Sequence, residues 1–434
     1  MQHIIVTVIV AVAYVALAGI SAAVAYSEAD AWTVWLASGL VLGLLLARPP
    51  ARWTAILAGA FVGAVAFDLW LGGGILEAAG YGAIEVIAAL TGAFVASRIM
   101  DLPCRLESPR SVAGVVVGGA LPLALCGAAL ATAWHMAGPG GSATAATTFR
   151  VWALSNGIGT LLVAPMVIAW AQFQLRRSGG LPMPSFVAGA IACVLFLASL
   201  WLLFDARHDD RFGGSVGQGL TYVPLAFMAV TALLWGTRGA TLAAFLGALI
   251  AIFNTAQGEG PFAGVDGFLG EAELEVQGYA VAIALTGLLI AALDAGHRSA
   301  MRAARDWQTR FEAAIGAHRL LAYEWDPASG RLTVTGDSAK LVGVPPARLS
   351  SLADWLALVV PTDRDRVTEH FDERVRNDGS LDVIDYSVTS PGSVHAVTDE
   401  ARAIRDHDGT LHRIVGMIRI APAVTASADT GSAS

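Results

Sequence analysis

A chain of 434 residues that is 55% hydrophobic and only 14% charged is too apolar for a soluble protein, and points to a lipid bilayer. Its net charge of −8, with Lys340 the single lysine and no basic cluster, excludes nucleic acid as a partner. Cys104, Cys126 and Cys193 are odd in number and lack metal-like spacing, so neither a disulfide framework nor a metal site is expected.

Charge is unevenly divided: residues 1–296 carry 27 Asp, Glu, Lys and Arg, and the last 138 carry 35. The pattern predicts a membrane part over 1–296, a helical linker over 297–312, a soluble domain over 313–421 and a disordered tail over 422–434. A helix needs roughly 20 mostly apolar residues to cross about 30 Å of hydrocarbon. Cutting the first part wherever charges, Pro and Gly interrupt gives ten runs, near 3–26, 32–47, 53–71, 75–97, 111–136, 149–171, 185–204, 220–235, 239–255 and 276–295. The second, eighth and ninth are short enough to be re-entrant or broken, so the expectation is eight to ten helices. No Lys or Arg precedes the first run, which favours a retained helix over a cleaved signal peptide.

Alternate loops sort by sign. One set holds Arg48, Arg52, Arg98, Arg105, Arg110, Arg176, Arg177, Arg238 and then Arg298, Arg302 and Arg305; the other is mostly acidic, with Glu28, Asp30, Asp205, Glu259 and Glu271 among its members. Arginines collect in cytoplasmic loops, so both termini are expected on the cytoplasmic side of the membrane.

Ionisable groups inside apolar runs are costly unless paired or wetted. Asp68, Glu77, Glu85 and His135, with polar Asn156, all fall in the outer half of the bilayer, and Glu77, Tyr81 and Glu85 share a helical face. They predict an outward-opening cleft suited to a cationic or proton-linked ligand. The competing expectation is that each group merely hydrogen-bonds a neighbouring helix or snorkels to the interface. Beyond the last run, Leu293, Met301, Ala304, Phe311 and Ile315 recur on one face of a helix over 290–315, able to pair with a second copy and carry a shift out of the bilayer. An inert spacer is the alternative.

From Phe311 to Ile420 the period changes from long apolar runs to alternation. Strands are expected over 320–326 and 330–336, helices near 337–341, 352–359 and 364–377, then strands near 381–390, 393–405 and 411–420. That order describes an α+β domain.

The first part resembles the type-one membrane-associated sensor domain of bacterial signalling proteins. The resemblance rests on VWLASGLVLGLLL, with Trp35, Ser38 and Gly39; on VWALSNGIGTLLVAPMVIAW, with Trp152, Gly159 and Pro165; on Gly236-Thr237-Arg238-Gly239 as a short inner turn; and on Gly258, Gly260, Pro261 and Phe262 as an outer loop. Asn156 stands where an aspartate is expected of the family. The second part resembles a PAS domain through Trp325 in YEWDPASG, through Pro361, Asp363 and Arg364 before its long helix, and through IRDHDGTLHRIVGMIRI. Val360 replaces the usual histidine, and Ile420-Ala421-Pro422 replaces the closing Asp-x-Thr.

Together the resemblances imply an all-α membrane bundle followed by a cytoplasmic α+β PAS domain. They imply an input module of a histidine kinase or cyclic-di-GMP system, with the bilayer and a cytoplasmic kinase, response regulator or cyclase as partners and with homodimerisation possible. No catalytic motif is seen, so the chain is not expected to be an enzyme. No cofactor is expected either. Flavin–cysteine photochemistry is excluded because no cysteine lies beyond Cys193, and His370 among Asp, Glu and Arg reads as a solvated side chain rather than a haem ligand. A transporter or channel with a regulatory PAS domain is the alternative function.

Overall fold

The computed structural model describes residues 2–24, 32–137, 144–171, 182–205, 219–263, 270–376, 380–391, 393–407 and 409–421. Expectations placed on 25–31, 172–181, 206–218, 264–269 and the tail from 422, including several loop charges, lie outside them. The chain forms two compact units, Met1–Ser299 and Ala300–Ser434.

In the first unit α1 is Gln2–Ala23, α2 Leu36–Ala47, α3 Trp53–Trp70, α4 Ile75–Ile99 and α5 Pro109–Ala137. These are followed by α6 Ala145–Trp170, α7 Met183–Leu203, α8 Val223–Ala256 and α9 Glu271–Ala317. Eight of them are long and apolar enough to cross a bilayer. The expected ten runs differ from these eight at two places, each with a local cause.

The second run is helical over only part of its length. Residues 32–35 stay extended because the Trp35 N–H donates to the Ser155 carbonyl at 3.0 Å, and the helix begins only at Leu36, whose N–H is capped by the Ser21 hydroxyl at 3.0 Å. The resulting 12-residue α2 rises about 18 Å, short of the hydrocarbon thickness. All but one of its residues are buried, so it is an internal element of the bundle.

The eighth and ninth runs are joined without a loop. Gly236, at φ 64° and ψ −155°, takes a conformation essentially confined to glycine, and the chain reverses there. The reversal is recorded by contacts. Trp235 Nε1 donates to the Phe186 carbonyl (3.0 Å), Arg238 Nε to that of Ala169 (3.1 Å) and Arg298 to that of Leu233 (3.1 Å), all at one end of the unit. At the other end the Tyr279 hydroxyl donates to the Thr221 carbonyl at 2.8 Å. The short turn expected at 236–239 is therefore a helical hairpin, with Arg238 fastening it to α6.

A wide turn in α5 over Gly114–Ala120 ends two residues before Pro122, whose nitrogen has no hydrogen to donate to the helical ladder. Leucines and aromatic residues share the interior with many alanines and glycines, while large apolar side chains such as Ile4, Val12, Trp70, Ile75 and Phe94 also point outward. An apolar exterior over an apolar interior is what lipid contact requires. The loops carrying Arg48, Arg105, Arg110, Arg238 and Arg298 gather at one end: Cys104 N–H meets the Leu46 carbonyl at 2.8 Å, and Gly296 lies beside Glu107 and Pro109.

In the second unit β1 is Leu320–Asp326, β2 Arg331–Thr335, β3 Asp382–Ser390, β4 Ser393–Arg405 and β5 Leu411–Ile420, in the antiparallel order β2-β1-β5-β4-β3. Helices α10 Ser338–Val342, α11 Leu352–Leu356 and α12 Pro361–Arg376 pack on one face. Asp337 caps α10 through the Lys340 N–H, and Gly343 ends it at φ 75°; Ser351 and Asp354 form a capping box on α11.

Candidate functional site

At the end of the first unit opposite the arginine loops is a cavity of about 240 Å³. It is formed where the extended stretch before α2, the last turn of α3, the first turns of α4 and the middle of α6 meet α1. Six aromatic residues line it: Tyr14, Trp32, Trp35, Phe67, Tyr81 and Trp152. Their rings interlock, with Trp32 and Trp35 centroids 5.4 Å apart, Trp35 and Phe67 at 5.8 Å and 62°, and Tyr81 stacked on Trp152 at 5.5 Å and 20°. Such tilted and offset pairs are the favourable arrangements of aromatic quadrupoles.

The polar lining is Asp68, Glu85, Ser155 and Asn156. Glu85 is 5% exposed, and its Oε1 has no hydrogen-bond partner; Asp68 Oδ2 and Ser155 Oγ are likewise buried without one. Asn156 is held by the protein at both ends of its amide. Its Oδ1 accepts from the Ser38 hydroxyl at 2.5 Å and its Nδ2 donates to the Trp152 carbonyl at 2.9 Å, an amide orientation set by those partners. An aspartate there would have no donor for the Trp152 carbonyl.

Of the six residues expected in the cleft, the fold brings Asp68, Tyr81, Glu85 and Asn156 together. Glu77 is exposed near the mouth, close enough for its charge to act on Asp68 and Tyr81, and His135 is half-buried outside the lining. Glu77 shares a face with Tyr81 and Glu85, but it lies in the first turn of α4, where its side chain is exposed. Sequence reading missed Tyr14, Trp32 and Phe67 as wall residues. It also missed Gln277, whose Nε2 donates to the Thr33 carbonyl at 2.7 Å between buried groups. This bond ties α9 to the stretch that carries Trp32 and Trp35, and Glu273 interacts with the Thr33 side chain as well.

The remaining motif residues are structural. Gly39 and Gly159 let α2 and α6 touch: a Cβ at Gly39 would lie 2.5 Å from the Gly159 carbonyl, and one at Gly159 would collide with the Trp35 carbonyl. Pro165 sits inside α6 without ending it. Gly260, at φ 86°, packs against Phe204, and Pro261 follows it into the turn.

In the second unit, Pro361 opens α12. Asp363 Oδ2 accepts from the Ser387 N–H at 3.0 Å, Arg364 donates to the Val359 carbonyl at 3.2 Å, and Trp325 packs edge-on against Phe371 at 5.7 Å. Leu293, Met301 and Ala304 are exposed on α9, Phe311 stacks on Trp307 at 5.2 Å, and Ile315 is buried. His370 Nε2 lies 2.6 Å from Asp382 Oδ2, out of line for a hydrogen bond, and Arg374 Nε donates to the same oxygen at 2.6 Å.

The interior of the sheet holds a polar network that sequence reading did not anticipate. Asp399, fully buried, takes hydrogen bonds from Tyr323 (3.0 Å), Tyr386 (3.2 Å) and Arg374 (3.1 Å), and Trp355 Nε1 donates to the Tyr386 hydroxyl at 2.8 Å. Burial pushes the Asp399 carboxyl up, and Arg374 pulls against that shift. Burial, then the charge of Asp399, holds both tyrosines well above the usual phenol range. Among the described residues no group of three or more His, Cys, Asp or Glu is placed to hold a metal.

Residues 5–294 match the MASE1 family. The chain belongs to it. Residues 331–418 match the PAS fold. No match is found among curated proteins. Among solved structures, the N-terminal domain of a diguanylate cyclase with PAS/PAC sensor from Marinobacter aquaeolei is 17% identical, with TM-score 0.22, covering 23% of this chain and 94% of that one. A sensory box histidine kinase/response regulator from Burkholderia thailandensis E264 is 21% identical, with TM-score 0.22 and coverage of 26% and 83%. A domain of a putative light and redox sensing histidine kinase from Haloarcula marismortui is 18% identical, with TM-score 0.22 and coverage of 26% and 99%. The MASE1 domain and the PAS domain make this a membrane protein of sensory input, and both matched families are sensory. Within the MASE1 domain, Trp35, Ser38, Gly39, Trp152 and Gly159 converge on the α2–α6 contact at the cavity's edge.

Proposed function

We propose that the MASE1 cavity faces the cell exterior and reads a small molecule there, that α9 carries the resulting shift inward, and that the PAS domain passes it to a cytoplasmic kinase, response regulator or cyclase. The observation that carries this reading is the buried Gln277 to Thr33 bond, because it joins the wall of the cavity to the helix that continues into the second unit. Orientation follows from the arginine-bearing loops at the end opposite the cavity, which favours both termini inside.

The PAS domain works through protein contacts rather than a cofactor or a reaction of its own. Supporting this, the space between its helices and sheet is about 10 Å³, no more than one water requires, and is closed by Trp355, Phe371 and Leu332. Haem through His370 would have to displace the Asp382 approach.

Orientation is tested in intact cells with single cysteines in a background whose three native cysteines are replaced by serine. Gly74→Cys, at the cavity end, is expected to react with a membrane-impermeant maleimide, and Ser350→Cys only after permeabilisation. Labelling of Ser350→Cys in intact cells would contradict the reading.

A further inference from the structure

The cavity wall specifies the chemistry of its ligand. We propose that it binds a small organic cation, an alkylammonium or quaternary ammonium compound. This inference rests on the sensory reading of the same cavity and names its ligand class.

The first argument is charge. Asp68 and Glu85 line the cavity, and no Lys, Arg or His does. Each carboxylate keeps one buried oxygen without a donor, and Glu85 is 5% exposed. Ser38 and Trp35 stand beside the Glu85 carboxyl, yet Ser38 gives its proton to Asn156 and Glu85 Oε1 is left without a donor. An anionic ligand would be repelled here, and a neutral apolar one would leave the carboxylates unpaired.

The second argument is the shape of the wall. Trp32, Trp35 and Phe67 meet at tilts of 55° to 62°, so their faces surround a volume instead of stacking into a slab. Aromatic faces attract cations, and a cage of tilted rings accommodates the alkyl groups that an ammonium carries. A bare metal ion would need several converging oxygens, and the wall offers mainly carbon. At about 240 Å³ the cavity is smaller than the roughly 300–1,000 Å³ of drug-sized sites, which suits a compact ligand.

The test is tryptophan-fluorescence titration of the purified full chain in lipid nanodiscs. The probes are choline and its neutral carbon isostere 3,3-dimethylbutan-1-ol, with potassium as competitor. Choline is expected to bind saturably and at least about tenfold more tightly than the isostere. Glu85→Gln should reduce that preference to near parity, and Asp68→Asn should reduce it partly while serving as the second variant if Glu85→Gln does not fold. Potassium should not displace choline. Equal binding of choline and isostere, no saturable binding, displacement by potassium, or an unchanged preference in both variants would each overturn the proposal. Selective choline binding that leaves the second unit unaltered would sustain the cation site and overturn only the sensory reading.

Discussion

Replacing Arg374 with methionine lowers the stability of the PAS unit by about 3–5 kcal/mol, because it strands the Asp399 charge in the core. Arg374 is 2% exposed and Asp399 fully buried, and the pair is joined by Tyr323 and Tyr386 from two further strands. Removing one partner leaves a desolvated ion with two phenols that cannot neutralise it. Removing the linked groups together costs less: Arg374→Met with Asp399→Leu and Tyr323→Phe should recover part of the loss, since a buried pair is worth little against apolar isosteres and no Tyr323 hydroxyl is then left without its partners. Pulse proteolysis of the full chain in urea, read on fragments from residues 300–434, measures both. A single variant within about 1 kcal/mol of wild type would contradict a stranded charge, Asp399 being then either wetted or protonated.

Gly159→Ala should be comparably damaging in the membrane unit. The added Cβ would overlap the Trp35 carbonyl and press on the Leu36 N–H, both rigid backbone. The Trp35 N–H is already bonded to Ser155, so neither strand nor helix can slide without breaking that bond and the Ser21 cap. A cost of about 3 kcal/mol or more is expected, beyond ordinary overpacking, because no side chain can rotate away. Thermal unfolding in detergent should show a lowered midpoint and loss of the cavity's tryptophan environment. Gly127→Ala, where the added Cβ would meet only the Ala88 Cβ at 3.4 Å, should change the midpoint little.

Much of this was legible in the sequence, for identifiable reasons. Long apolar runs and the alternation of arginine loops depend on local composition, and the helices Ile75–Ile99 and Ala145–Trp170 follow them closely. The PAS strands were legible because inward and outward residues alternate over Ser393–Arg405. What escaped was set by partners distant in the chain. Whether 32–35 is helical is decided by Ser155, and whether 223–256 is one span or two by the backbone of Gly236. Asp399 did leave a trace: it occupies an inward position between Val397 and Ala401, where a carboxylate demands a buried partner. Glu85 and Asn156 were visible as polar interruptions, but the rings of Tyr14, Trp32 and Phe67 read as ordinary apolar residues until the fold gathered them. Gln277 carried no signal at all, since its Thr33 partner lies 244 residues away.

The relay itself is tested most directly by hydrogen exchange over residues 300–317 of the full chain in nanodiscs, comparing wild type with Trp35→Leu, Gln277→Leu and the double variant. Opening the aromatic wall with Trp35→Leu should change amide protection in this stretch, and the change should shrink when Gln277→Leu has already removed one of the two ties, through Gln277 and Glu273, that hold α9 to Thr33. Protection over 300–317 that is identical in wild type and Trp35→Leu would contradict the account.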